Sequence, residues 1–151
     1  MIVSGYVYGC REIIIEQINN STEKAQYLHH DQAGSTRLIT GSTGTVEGAY
    51  TYSPYGATES HTGSATTPLG YDAEYTSSDT GLIYLRARAY DPATGQFMSV
   101  DPLVSLTREP YAYTVDNPMN FGDPSGLLTV GFCVSGEIAL GIESAPVYAD
   151  K

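Results

Sequence analysis

The sequence predicts a mainly β protein, built as an antiparallel ribbon or meander of short strands. The composition combines 13 tyrosines and 16 glycines with no tryptophan, which suits strands and tight turns better than helices. Tyrosines recur at even spacing, as in YVY at 6–8 and YTY at 50–52, and even spacing puts side chains on one face of a strand. Glycine-bearing turns separate the candidate strands by about 8 to 15 residues, which leaves little room for crossover helices.

The candidate strands follow one another in chain order, each bounded by turn residues. They cover residues 5–9, 13–18, 25–29, 36–40, 45–52, 82–90 and 111–114. The turn signals between them are TGSTG at 40–44, SPYG at 53–56, SDTG at 78–81 and PATG at 92–95. Residues 61–68 are predicted to form a loop of small residues. Short irregular or helical turns are expected near residues 101–123.

Residues 82–90 are predicted as a single strand with two unlike faces. Alternation places Arg86 and Arg88 on a face that also bears tyrosines. It places Ile83 and Leu85 on an apolar face that packs against the core. The strand therefore presents two guanidinium groups among phenol rings.

The charge balance excludes several classes of partner. The chain has 17 Asp and Glu against 7 Lys and Arg, with a formal net charge of -10. The cations are scattered from Arg11 to Lys151, whereas a nucleic-acid or anionic membrane surface needs a clustered basic patch. The longest apolar run, at 13–15, is too short to span a bilayer, and no export signal begins the chain. We expect no nucleic-acid partner and no membrane insertion. Cys10 and Cys133 lack zinc-site spacing, and whether they pair is left open.

Four motifs stand in order along the chain: YLHHDQAGSTR at 27–37, YTYSPYG at 50–56, GLIYLRARAYDP at 81–92 and DPSGL at 123–127. In this order they resemble the C-terminal part of Rhs/YD-repeat proteins, in particular the Rhs repeat-associated core domain that ends many bacterial polymorphic toxins and the C components of Tc toxins. The resemblance divides the chain into a partial YD-type repeat at 1–26, an Rhs core at 27–127 and a variable tail at 128–151.

The resemblance implies a β ribbon that, in full-length relatives, spirals into a hollow shell around a toxic C-terminal segment. It also implies self-cleavage after the leucine of the DPSGL motif, between Leu127 and Leu128. In the family an arginine and an aspartate thirteen residues later are implicated in that cleavage, and Arg88 and Asp101 have this spacing. The aspartate of the terminal motif corresponds to Asp123.

The residues themselves can be given a chemical role consistent with this resemblance. Two carboxylates that share a proton can hydrolyse a peptide bond, because one activates water while the other polarises the carbonyl or protonates the leaving nitrogen. Asp101 and Asp123 are the predicted pair. The Arg88 guanidinium would hold one carboxylate ionised and oriented, and would lower its pKa. The expected activity is at most a single-turnover, aspartyl-type autoproteolysis.

A purely structural interpretation of the same residues stands beside the chemical one. An aspartate before a proline commonly begins a turn, with its carboxylate capping backbone N–H groups. We assign this role to Asp91, whose turn gives it a structural function. For Asp101 and Asp123 both interpretations are open. The alternative for Arg88 is a cation–π contact with a neighbouring tyrosine.

The sequence favours neither a metal nor a cofactor. His29, His30 and Asp31 are adjacent, but neighbouring histidines on a strand point to opposite faces and do not chelate one ion easily. The glycines are better explained by turns than by phosphate binding, because none opens a convincing helix. We therefore expect no metal site and no cofactor.

Three functions follow from these observations. The first is self-cleavage that frees the segment after Leu127, in which residues 128–151 are too few for a catalytic core. The second is a non-cleaving YD-repeat scaffold that packages or binds a partner. The third is a carbohydrate-binding surface repeat with exposed tyrosines. Expected partners are the chain's own C-terminal segment, the rest of a shell, or a second copy joined through exposed sheet edges. By resemblance, the protein would be secreted or at the cell surface.

Overall fold

A computed structural model describes residues 6–8, 14–18 and 24–131, and the description below concerns these residues. The first sheet is an antiparallel meander in which each strand pairs with the next along the chain. Its strands are β1 (Tyr6–Tyr8), β2 (Ile14–Ile18), β3 (Ala25–His30), β4 (Thr36–Gly41), β5 (Val46–Tyr52) and β6 (Thr58–Gly63). The predicted mainly β, antiparallel fold class is confirmed.

A second antiparallel sheet carries the residues that later form the candidate site. Its strands are β7 (Tyr75–Thr76), β8 (Ile83–Leu85), β9 (Arg88–Asp91) and β10 (Gln96–Phe97), in the order β10-β9-β8-β7. A two-stranded sheet of β11 (Phe121–Gly122) and β12 (Val130–Gly131) follows. The short helix α1 (Val104–Thr107) and a 3-10 turn at Thr114–Asp116 lie near 101–123, where irregular turns were expected. Another 3-10 turn covers Tyr71–Ala73.

The core of the second sheet is largely aromatic. Its buried members are Tyr52, Tyr71, Ile83, Leu85, Tyr90, Phe97 and Tyr113. Tyr90 stacks on Tyr113 with 4.1 Å between ring centroids, an arrangement that adds to the energy of apolar burial. A smaller cluster of Leu28, Ile39 and Ala65 lies under the first sheet. Tyr50 packs against both clusters and so connects the two sheets.

The predicted strand at 82–90 is wrong, because the segment is a hairpin. Leu85 pairs with Arg88 across a two-residue turn, and Arg86 adopts a left-handed φ of 59°. Residues directly opposite each other share a face, so Arg88 lies with Leu85 on the buried face while Arg86 is exposed. The turn was missed because Arg86 and Ala87 carry none of the Gly, Asn or Asp signals that tight hairpins favour.

Two further boundaries differ from the prediction. Residues 111–114 do not form a strand: Ala112 makes one isolated bridge to Gln96, and the backbone then turns left-handed at Thr114–Asp116. Residues 61–68 were predicted as a loop, but β6 extends into them, to Gly63. All residues of β6 are exposed, so it lacks the apolar alternation by which a strand is recognised. Within the described ranges, no helix has the length and apolar character needed to cross a membrane.

Candidate functional site

Arg88 is the centre of the candidate site. It lies on the buried face of β9, with 5% of its surface exposed, and its guanidinium carbon is 3.5 Å from the Phe97 ring centroid. Nη2 donates to Oδ2 of Asp123 at 3.4 Å, and Nη1 lies 3.9 Å from Oδ2 of Asp101. Nε donates to the carbonyl of Gly126. The fold therefore brings Arg88, Asp101 and Asp123 into one buried cluster.

Asp101 lies close to Arg88 and also stabilises the turn that leads into helix α1. Its Oδ1 accepts a hydrogen bond from the Leu103 amide at 2.7 Å, and its Oδ2 accepts one from the Thr107 hydroxyl at 2.9 Å. These bonds brace helix α1. Arg88 Nη1 is buried and has no hydrogen-bond partner among the described residues, so its attraction to Asp101 is electrostatic at 3.9 Å rather than a formed hydrogen bond.

Asp123 contacts the backbone of the predicted cleavage point directly. Its Oδ1 accepts hydrogen bonds from the amides of Leu127 and Leu128, each at 3.1 Å, and from the Ser125 hydroxyl at 3.0 Å. The Ser125 hydroxyl oxygen accepts from the same two amides, each at 3.2 Å. The N–H of the Leu127–Leu128 peptide therefore faces a carboxyl group and a hydroxyl group.

Burial sets the acid–base properties of the cluster. It raises the pKa of Asp123 above its ordinary value, and the hydrogen bonds from Ser125 and Leu127 and the charge of Arg88 offset only part of this effect. Burial also lowers the pKa of Arg88, against the opposing charges of Asp101 and Asp123. Asp123 therefore keeps its proton to higher pH than a solvated aspartate, as a proton donor must.

The tip of the β8–β9 hairpin holds the backbone that precedes Leu127. Arg86 Nη1 donates to the Pro124 carbonyl, and the Ala87 amide donates to the Ser125 carbonyl at 3.2 Å. Gly126 has a φ of +67°, and an added Cβ would overlap the Leu85 carbonyl oxygen. These contacts were missed in the sequence, because the two arginines were assigned to one strand face.

The Leu127–Leu128 bond itself lies at the surface. Leu128 is 41% exposed and Leu127 is half-buried. The bond lies in the loop that connects β11 to β12, where Phe121 pairs with Gly131 and Gly122 with Val130. Residues on both sides of the bond are consequently held by a sheet.

The remaining sequence candidates lie elsewhere. The turn assigned to Asp91 is confirmed: its carboxylate accepts from the Ala93 amide at 2.9 Å and the Thr94 hydroxyl at 3.0 Å. His29 and His30 contact threonine hydroxyls of β4. Asp31 caps the β3–β4 turn. Within the part of the chain that the structure describes, no three His, Cys, Asp or Glu side chains gather as metal ligands would. Cys10 and Cys133 lie outside the described residues.

Comparison with known proteins agrees with this architecture. The Teneurin YD-shell family model matches residues 2–121. Salivary gland surface protein 1 of Aedes aegypti is 37% identical over 85% of this chain, and the tRNA nuclease WapA of Bacillus subtilis is 33% identical over 68%. The chain spans only 4% and 5% of the length of these two relatives. The crystal structure of TcdB2-TccC3-Cdc42 superposes on 82% of the chain with a TM-score of 0.71, at 23% identity and over 6% of its own length.

Proposed function

Because this chain belongs to the Teneurin YD-shell family, and so to the Rhs/YD-repeat proteins, we propose that it is a shell module that cleaves its own backbone between Leu127 and Leu128. The observation that carries the proposal is the position of Asp123. Its carboxyl group lies 3.1 Å from the Leu128 amide and also contacts Arg88, whose guanidinium lies beside Asp101. Arg88 therefore links Asp101 to Asp123, and Asp123 contacts the bond that we propose is cut.

The proposed reaction is hydrolysis by two acids with different roles. Asp101 accepts a proton from a water molecule as the water oxygen bonds to the Leu127 carbonyl carbon. Protonated Asp123 then gives its proton to the Leu128 nitrogen as the C–N bond breaks. Arg88 binds the Gly126 carbonyl and orients the Asp101 carboxylate and the Asp123 carboxyl group. The products are a chain that ends in a Leu127 carboxylate and a segment that begins with a Leu128 amine.

Intact mass of the freshly folded chain tests this proposal. The wild-type protein should yield a fragment that ends at Leu127, and Asp101→Ala should stay full length. Asp101→Asn is the better-matched variant, because an amide oxygen can still accept the Leu103 hydrogen bond and keep helix α1. Cleavage by Asp101→Asn at the wild-type rate would remove Asp101 from the mechanism.

A non-cleaving scaffold is the second candidate function. It is favoured by the hydrogen bonds that Asp101 and Asp123 already make within their turns. In this role the chain would contribute strands to a larger shell, and β6 would offer an edge for pairing, since it is the last strand of the first sheet and all its residues are exposed. A wild-type chain that remains full length after folding would support the scaffold over the protease.

A further inference from the structure

The β8–β9 hairpin tip binds the chain in a regular, residue-by-residue pattern. Three consecutive residues meet three consecutive carbonyls: the Arg86 side chain meets Pro124, the Ala87 amide meets Ser125, and the Arg88 side chain meets Gly126. Every residue has a carbonyl, so these contacts recognise the direction and position of the backbone rather than its side chains. All three lie on the N-terminal side of the Leu127–Leu128 bond.

Arg86 differs from Arg88 in how it is held. Its side chain is 59% exposed and its backbone has a φ of 59°, which disfavours a residue with a side chain. Its Nη1 also forms an ion pair of 2.7 Å with Glu74, next to β7. The Glu74 side chain is only 13% exposed, so solvent screens this pair less than it screens a surface pair. The Arg86 side chain therefore joins a largely buried carboxylate to the Pro124 carbonyl.

The fit at Gly126 makes the same region selective for one residue type. A Cβ at this position would overlap the Leu85 carbonyl oxygen and would lie 3.0 Å from the backbone nitrogen of Arg88. Backbone atoms cannot move aside as a flexible side chain can. The hairpin and the bound segment therefore pack backbone to backbone, as an extended substrate does in a narrow binding groove.

We propose that the β8–β9 hairpin tip is a backbone-binding subsite for residues 124–126, with Arg86 as a positioning residue that fixes where Leu127 is presented. This inference rests on the proposed self-cleavage for its effect on rate. Binding of the segment does not depend on the reaction. Loss of Arg86 lets the segment shift on the hairpin, and a shift of this kind slows a reaction whose geometry is preorganised.

The first test measures cleavage during refolding of the full chain by intact mass. Arg86→Ala should slow cleavage about 10- to 100-fold, and Arg86→Lys should recover part of the rate because it restores a donor. Arg37→Ala is the control, since Arg37 forms an ion pair of the same 2.7 Å length with the half-buried Asp31. It should cleave at the wild-type rate. In a wild-type chain that cleaves, equal rates for wild type, Arg86→Ala and Arg37→Ala would overturn the positioning role of Arg86.

The second test separates binding from catalysis by amide hydrogen exchange in the uncleaved Asp101→Asn chain. Adding Arg86→Ala should speed exchange at Ala87, Leu127 and Leu128, whereas adding Arg37→Ala should not. If the wild type does not cleave but exchange rises as expected, the subsite stands and self-cleavage fails. Unchanged exchange at these three amides overturns the subsite, whatever the cleavage result.

Discussion

Oδ1 of Asp123 accepts a hydrogen bond from the Leu128 amide at 3.1 Å. In the same DPSGL segment, Asp123 also accepts from Leu127 and Ser125. The additional bond to Leu128 places a buried carboxyl group at the nitrogen that would leave when the chain is cut.

The first prediction concerns the proton carried by Asp123. Asp123→Asn keeps an oxygen that can accept the backbone hydrogen bonds but cannot donate an acidic proton, so cleavage should be lost while the fold is kept. The measurements are intact mass and far-UV circular dichroism. Asp91→Asn is the matched control, because Asp91 is also followed by proline and also caps its own turn. Cleavage of Asp123→Asn at the Asp91→Asn rate would contradict the role of the acid.

The second prediction concerns the close approach at Gly126. Gly126→Ala should lower the thermal midpoint and block cleavage, because the added Cβ overlaps backbone of the hairpin. Gly81→Ala controls for backbone angle alone: Gly81 has a φ of +73°, and its Cβ would meet nothing within 4 Å. The left-handed conformation costs both variants about 1 kcal/mol. A thermal midpoint for Gly126→Ala equal to that of Gly81→Ala would show that the clash is relieved.

The third prediction concerns the pH dependence of cleavage. The Ser125 hydroxyl hydrogen-bonds to Asp123 and lowers the pKa of that carboxyl group against the larger effect of burial. Since Asp123 acts as an acid, cleavage should fall as pH rises through its pKa. Ser125→Ala should move this fall to higher pH, as measured by refolding over a pH series. Complete loss of cleavage at every pH would instead indicate that Ser125 takes part in the bond-breaking step.

The fourth prediction concerns Asp72, an acid outside the site whose Oδ1 is buried. Burial raises its pKa from 3.8 to about 7, its Oδ1 has no hydrogen-bond partner among the described residues, and Tyr113 donates to Oδ2 at 2.7 Å. Between these two pH values the folded state keeps a proton that the unfolded chain releases. The free energy of unfolding should therefore fall as pH rises from about 4 to 7, by at most about 1.4 kcal/mol per unit.

Asp72→Asn should remove this part of the slope, because the amide does not titrate. Urea unfolding of both proteins at pH 4.5, 6 and 8 measures it, with exposed Asp79→Asn as control. The free energy of unfolding of Asp72→Asn, relative to that of the wild type, should increase as pH rises. Parallel stability curves would show that Asp72 ionises in the folded protein as it does in water.

Much of the fold could be predicted because the local signals agree with the tertiary structure. The strands near 25–29, 36–40 and 45–52 combine β-branched and aromatic residues with glycine turns, and they form β3, β4 and β5. The β8–β9 hairpin could not be predicted, since its turn residues are Arg86 and Ala87. What stabilises that turn is contact with a segment almost forty residues away along the chain.

Some residues of the candidate site could likewise be predicted from the sequence, and others could not. The resemblance to Rhs core domains, carried by the spacing of Arg88 and Asp101 and by the DPSGL motif, predicts three site side chains, and they do lie together. Arg86 and Ser125 contribute through contacts with backbone carbonyls and amides. Because almost every residue has these groups, the contacts cannot be predicted from residue types. These contacts are found only in the structure, where the DPSGL segment packs on the hairpin tip.

A time course of intact mass, recorded for the wild-type chain and for Asp123→Asn as each refolds from denaturant, tests cleavage between Leu127 and Leu128 most directly. Self-cleavage predicts that the full-length mass decays, that a fragment ending at Leu127 and one beginning at Leu128 appear together, and that the variant stays intact. A wild-type chain that reaches its folded circular dichroism spectrum and keeps its full-length mass would contradict self-cleavage.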